Sequence, residues 1–261
     1  MQLSKATIPL ERIVAIFITH LHADHALGLF GLIASLSMTG RTAPLAVYAH
    51  APLEAMLEHI IELFIAHLNF EIQFYPLPEN AGAEIYTDSQ ISVSTIPLHH
   101  RIKTCGFKFA EHPLPPNLRP EIIEQYQLSR QEIALLKERK EVNLSNGVVL
   151  RPDEVLYYRR TPRTFAYMSD TLFTASAAPF VQGVDLLYHE ATYMQDLLSL
   201  AKQTGHATAQ QAAEFASLAQ AKRLIIGHYS ARYHDLAPLL AEAQQIFPAT
   251  VLAKELDIHT I

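Results

Sequence analysis

Three imidazoles and a carboxylate fall within the six residues His20-Leu21-His22-Ala23-Asp24-His25. Nitrogen and oxygen donors at this density suit one or two zinc-class ions. The run before them, Ile13-Val14-Ala15-Ile16-Phe17-Ile18, is short, rich in β-branched and aromatic residues and free of Gly and Pro, so it reads as a buried strand. Alternation at its end sends His20 and His22 to one side. The chain has 14 histidines, so some scatter by chance is expected, but chance rarely places three beside an aspartate at a strand end. The same arrangement recurs further on: His100, Asp170, His189 and His228 each stand just past an apolar run. Loops along one edge of a mixed sheet gather such residues into a site.

The elements that must position these groups follow from periodicity. A helix is expected over 27–38, with Leu29, Leu32, Ile33 and Leu36 on one face, and another from Pro52 to about residue 68. Strands are expected at 45–49, 71–75, 84–87, 91–96, 105–110, 165–168, 184–188 and 223–227. Helices follow at about 209–219, with Thr208 as N-cap, and at 238–246. Asp257 and His259 are read as the exposed end of an edge strand. The tract 111–164 differs: it opens with Pro113, Pro115, Pro116 and Pro120, then shows two short helical patterns and a turn at Ser145-Asn146-Gly147. It is an arm or excursion from a single 1–261 domain.

Composition bounds the class. Apolar residues make up 49% and charged ones 18% of 261, a globular α/β balance. No apolar run reaches the roughly 18 residues of a membrane span. The first residues lack the basic and apolar regions of a signal peptide. The single cysteine, Cys105, excludes an internal disulfide and is read as a small buried strand residue, so a cytoplasmic location is the expectation. A net charge of −6 argues against a general polyanion binder. Lys137, Arg139, Lys140, Arg151, Arg159, Arg160 and Arg163 nevertheless gather in the arm, as a solvated face or a phosphate-contacting surface. His50, His59, His67, His112 and His234 have no motif around them and read as surface or packing residues.

His20-x-His22-x-Asp24-His25, with His100, Asp170 and His228 following singly, resembles the metallo-β-lactamase fold, an α/β (by some schemes α+β) αββα sandwich. More narrowly, further stretches are similar to the ribonuclease Z family of tRNA 3′-processing endonucleases. They are Pro97-Leu98-His99-His100-Arg101-Ile102 with Gly106-Phe107, Ser169-Asp170-Thr171, His189-Glu190-Ala191-Thr192-Tyr193, Gly205-His206-Ala207-Thr208-Ala209 and His228-Tyr229-Ser230-Ala231-Arg232-Tyr233. The resemblance implies two zinc ions per chain, with manganese as the alternative. His20, His22 and His100 would hold one, Asp24, His25 and His228 the other, and Asp170 would bridge them. It implies attack of a metal-bridged hydroxide on the phosphodiester, oriented by Asp24, with a proton for the leaving 3′ oxygen from His206, itself oriented by Glu190. Ser230 and Arg232 become phosphate contacts, and His189 a support for Glu190. The implied substrate is precursor tRNA, cut to leave a 3′-hydroxyl, and the implied assembly a homodimer with no membrane attachment.

Two departures from the family pattern are expected to matter. Family members begin with a glycine-containing segment and paired strands, whereas only about a dozen residues precede Ile13 here, so the sandwich is expected to lack its first N-terminal strands. The glycine-proline-rich segment that grips tRNA is also not evident between Glu111 and Thr164. The alternatives are a small-molecule metallo-hydrolase acting on a phosphodiester or thioester, and a truncated, non-catalytic metal-binding homologue.

Overall fold

The computed structural model describes residues 2–6, 8–65 and 67–261. It divides into two units, Met1–Ala110 with Thr164–Ile261, and Glu111–Arg163. In the first unit β1 (Ala15–Phe17), β2 (Leu45–Ala49) and β3 (Ile72–Pro76) form a parallel three-stranded sheet in that order. β4 (Glu84–Thr87), β5 (Ile91–Pro97) and β6 (Cys105–Glu111) lead to the second unit, which carries β7 (Asn117–Leu118), β8 (Val142–Asn143), β9 (Val149–Leu150) and β10 (Leu156–Tyr157). The chain returns as β11 (Thr164–Met168), β12 (Leu186–Glu190), β13 (Leu224–Gly227) and β14 (Thr250–Leu252). These join a seven-stranded sheet in the order β14-β13-β12-β11-β6-β5-β4, parallel from β11 to β14 and antiparallel where β11 meets β6.

Three apolar clusters set four layers. Leu29, Ile33 and Leu36 of the helix Gly28–Met38, with Leu53 and Leu57 of the helix Pro52–Ile60, pack on Leu45, Val47 and Ala49 of the small sheet. Between the sheets lie Phe17, Tyr48, Val93, Phe107 and Phe109, with the Phe17 and Tyr48 rings stacked 4.8 Å apart. On the outer face of the large sheet, Ala212, Phe215 and Ala216 of the helix Ala209–Leu218 meet Met168, Leu187 and Ile226. Alternating faces thus give helix, sheet, sheet, helix. Burial of one side chain such as Phe215 contributes about 1.5–3 kcal/mol. Gly106 of β6 is required by closeness: a Cβ there would stand 2.6 Å from the Tyr167 carbonyl oxygen on β11.

Thr208 caps its helix as expected, accepting from the Gln211 N–H while the Gln211 side chain accepts from the Thr208 N–H. Three expectations need correction. The helix opened by Pro52 is α-helical to Ile60 and then turns π-helical over Ile61–Ile65; Ala66 lies outside the described residues. The wider turn shifts the phase so that Ile61 and Ile65 join the core while Leu63 and Phe64 are exposed. The edge strand is Thr250–Leu252, and Asp257 and His259 follow a turn in which Leu256 has φ 69°. The strand expected over 184–188 runs instead over Leu186–Glu190, with Asp185 accepting hydrogen bonds from the Thr164 N–H and hydroxyl, so His189 and Glu190 lie within β12 and not past it.

The unit Glu111–Arg163 has a small core of its own, formed by Leu118, Leu136, Val142, Leu150 and Val155. Two helices, Pro120–Tyr126 and Arg130–Lys137, stand beside a β8–β9 hairpin that turns through Gly147 at φ +83°. Its basic residues are largely matched by carboxylates: Arg139 with Asp153, Lys140 with Glu138, Arg151 with Glu141, and Arg160 and Arg163 with Glu111. That favours the solvated face over a free phosphate-contacting patch. No helix among the described residues is long and apolar enough to cross a membrane.

Candidate metal centre

The donors come from strand ends in both sheets. His20 follows β1, His22 caps the short helix Ala23–Ala26 that carries Asp24 and His25, His100 follows β5, and Asp170 and His228 follow β11 and β13. Asp170 lies between them. Its Oδ2 faces His20 Nε2 at 3.6 Å and His100 Nε2 at 3.8 Å, while Oδ1 faces His25 Nε2 at 3.6 Å and His228 Nε2 at 3.2 Å. His22 Nδ1 is 3.3 Å from His100 Nε2, and Asp24 Oδ2 is 3.4 Å from His25 Nε2. Donor atoms of His20, His22, His100 and Asp170 lie within 4.8 Å of one another, as do those of Asp24, His25 and His228.

These residues fit a pair of divalent cations. Ligand atoms about 2.0–2.1 Å from one tetrahedral ion stand about 3.3 Å apart, close to the spacings found. His20 Nε2 is buried without a hydrogen-bond partner, and a bare imidazole nitrogen aimed at a carboxylate oxygen is what a cation would occupy. Burial, and then neighbouring His25, push the His20 pKa down to about 4; burial and His100 lower that of His22. Both rings are thus neutral and have a lone pair to give. Burial opposes ionisation of Asp170, but the surrounding imidazoles of His228, His25 and His20 hold its carboxyl below the usual value.

Hydrogen bonds fix which nitrogen His100 and His228 present. His100 Nδ1–H donates to the Gly205 carbonyl at 2.7 Å, leaving Nε2 free. Gly205 ends the helix Leu198–Thr204 at φ +80°, and a Cβ there would be 2.9 Å from that same Nδ1. The Thr192 hydroxyl donates to Glu190 Oε2 at 2.6 Å and accepts from His228 Nδ1–H at 2.9 Å, turning His228 Nε2 toward Asp170. His228 has φ 60°, the left-handed region that a non-glycine residue enters only under constraint. Thr192 and Gly205 were not singled out from the sequence, although both lie inside stretches that were.

Glu190 is fully buried and accepts from the Thr171 N–H, the Thr192 N–H and hydroxyl, and His206 Nδ1–H at 2.8 Å. Burial disfavours an imidazolium at His206, but the hydrogen bond and charge of Glu190 outweigh it and hold the pKa above its ordinary value. His206 stacks on His228 with centroids 5.4 Å apart, and its donor atom lies within 4.8 Å of those of Asp170 and His228. Arg232 Nε donates to Ser230 Oγ at 3.0 Å, and its guanidinium rests 5.1 Å over the Tyr193 ring. His99, next to His100 in sequence, turns away to Thr174, and His189 donates through Nδ1 to the Glu190 carbonyl at 2.6 Å. Two sites for cations beside an imidazole held by a buried carboxylate form an arrangement that can support phosphodiester hydrolysis.

The family description "Beta-lactamase superfamily domain" matches residues 2–114. A protein of Phocaeicola vulgatus named Ribonuclease Z is 41% identical over 255 residues, covering 98% of this chain and 82% of the relative. One of Parabacteroides distasonis with the same name is 40% identical, covering 97% and 84%. Among solved structures, human tRNase Z, short form, superposes with a TM-score of 0.66 at 24% identity, covering 99% of this chain and 83% of that one. The metallo-β-lactamase fold protein YhfI of Bacillus subtilis gives 0.61 at 17% identity, covering 97% and 80%.

Proposed function

Since the chain belongs to the ribonuclease Z family of metal-dependent hydrolases with the metallo-β-lactamase fold, we propose that it removes the 3′ trailer from precursor tRNA and leaves a 3′-hydroxyl. The observation that carries this reading is the division of Asp170: one oxygen toward His20 and His100, the other toward His25 and His228. A carboxylate divided in this way could be shared by two cations. His20, His22 and His100 would hold one, and Asp24, His25 and His228 the other. Five imidazoles favour zinc over manganese. When bound, such a pair supplies a water acidified toward neutral pH and charge to offset the phosphate oxygens.

The chain's own groups do the rest. Asp24, whose side chain is 72% exposed beside His25, orients the attacking water. His206 keeps a proton at Nε2 because Glu190 holds Nδ1–H, and delivers it to the departing 3′ oxygen. Arg232, steadied by Ser230 and the Tyr193 ring, contacts a backbone phosphate. A homodimer is supported by an apolar patch in which Met38 is 88% and Phe64 80% exposed; Phe64→Glu should then lower the mass measured by light scattering.

The test uses zinc-loaded protein, a precursor tRNA with a 3′ trailer, and a simple bis-aryl phosphodiester. Release of the trailer with a 3′-hydroxyl end, lost in Asp170→Asn, is the expected result. Hydrolysis of the aryl ester with the tRNA untouched would favour the small-molecule hydrolase. Two bound zincs with neither substrate cut would favour the non-catalytic homologue.

A further inference from the structure

His50 follows β2 and is only 5% exposed, and no part of the reaction above uses it. Its Nε2 lies 3.2 Å from the Thr19 carbonyl oxygen, which also accepts from the Cys105 N–H at 3.1 Å. A carbonyl only accepts, so Nε2 carries the hydrogen and Nδ1 is a bare acceptor. That Nδ1 is buried without a hydrogen-bond partner, as is Thr104 Oγ1, and both residues line a pocket of about 160 Å³. A packing role alone would be met by leucine, with no orphaned polar atom. The one hydrogen bond the ring makes ends on the peptide joining Thr19 to His20.

Thr19 holds the innermost ligand from both sides. Its Oγ1 is 3.0 Å from His20 Nδ1, the interaction that turns Nε2 toward Asp170. Its carbonyl, pinned by β6 through Cys105 and by the end of β2 through His50, fixes the peptide plane from which the His20 side chain departs. Burial lowers the pKa of His50 and keeps the ring neutral, as a donor of this kind requires no charge. Resting on the metal-centre reading, we propose that His50 is a positioning residue for the cation pair: through the Thr19 carbonyl it sets the direction of His20 Nε2.

Chelator competition with a chromogenic zinc indicator reads the effect without any turnover. His50→Leu and His50→Asn, the latter too short to reach the carbonyl, should weaken zinc binding by about tenfold or more, as loss of a group that orients a ligand does. His50→Gln, whose amide nitrogen is as many bonds from Cα as Nε2, should stay within about threefold of the unaltered chain. Thr104→Val alters the same cavity without touching the carbonyl and should bind zinc normally. Unchanged affinity in His50→Asn and His50→Leu, or an equal loss in Thr104→Val, overturns the proposal. If His50→Leu fails to fold, His50→Asn and His50→Gln carry the comparison. Failure of the unaltered chain to bind zinc would instead remove the metal-centre reading itself.

Discussion

Replacing Gly205 by Ala tests how the centre is held, because two separable penalties meet there. At φ +80° an L-residue costs about 1–2 kcal/mol of backbone strain. The added Cβ would also stand 2.9 Å from His100 Nδ1 and 3.2 Å from Arg101 Cγ, both too close. His100 must then turn away from the carbonyl it donates to at 2.7 Å, and its Nε2 leaves the line toward Asp170. Loss of such an orienting bond typically weakens metal binding about 10–100-fold, or about 1.4–2.7 kcal/mol. Gly183→Ala provides the control: φ is +67°, but nothing lies within 4 Å of its Cβ, so it incurs the backbone strain alone. Thermal unfolding with chelator should show both variants about 2–8 °C below the unaltered chain. With saturating zinc, Gly183→Ala should recover the full zinc-dependent gain, whereas Gly205→Ala should recover less by the lost affinity. Equal zinc affinity in the two variants would refute the assignment of the Gly205 carbonyl as the group that orients His100.

His206→Ala should lower turnover about 10²–10⁴-fold with zinc content unchanged, read by single-turnover cleavage and metal analysis. Because Glu190 raises the folded pKa of His206, its protonated form and the stability it adds persist below the unfolded value and fade as pH rises through the raised one; Glu190→Gln should move the alkaline limb of kcat/KM to lower pH. Glu111 shifts the opposite way: its hydrogen bonds with Arg163 pull it down to about 2, so its contribution is full above about 4.3 and lost as pH falls toward 2. Limited proteolysis of the 111–163 unit should therefore accelerate between those values, and Glu111→Gln should be cut readily at both ends of the window. Thr208→Ala removes the cap of the helix Ala209–Leu218 and should cost about 0.5–2 kcal/mol by denaturant unfolding.

What the sequence made legible was whatever local spacing encodes. The strand-end positions of His20, His100, Asp170 and His228 could be read because each donor follows a short apolar run. The Thr208 cap could be read because its partner, Gln211, is three residues on. The bonds that aim the ligands were not legible, since they join distant residues: His100 to Gly205, Thr192 to His228, His50 to Thr19. Glycine at 205 carries no periodic signal, and its need becomes visible only when His100 stands against it. The error at 257–259 has a similar origin. Leu256 and Ile258 stand two apart, the spacing of a strand, but the turn at Lys254-Glu255-Leu256 carries the segment off the sheet and leaves Ile258 90% exposed.

On the proposed ligand assignment, cation binding would also contribute to folding. His20, His22, Asp24 and His25 belong to the small sheet and its first loop, whereas His100, Asp170 and His228 belong to the large sheet. The aromatic layer of Phe17, Tyr48 and Phe107 joins these sheets along their faces, but at the strand ends the approach brings bare imidazole nitrogens and one buried carboxylate together. At that edge His20 Nε2 is buried without a hydrogen-bond partner, a local cost in the interface. An ion ligated from both sheets would convert that cost into a cross-link, and its binding energy would appear as stability of the sheet-to-sheet contact. Asp170 is the point where the two ligand sets join: removing its charge should uncouple them, so that zinc uptake in Asp170→Asn falls in both sets and not in one. Loss of a single equivalent, with the other bound at unaltered affinity, would mean that the two sets act independently.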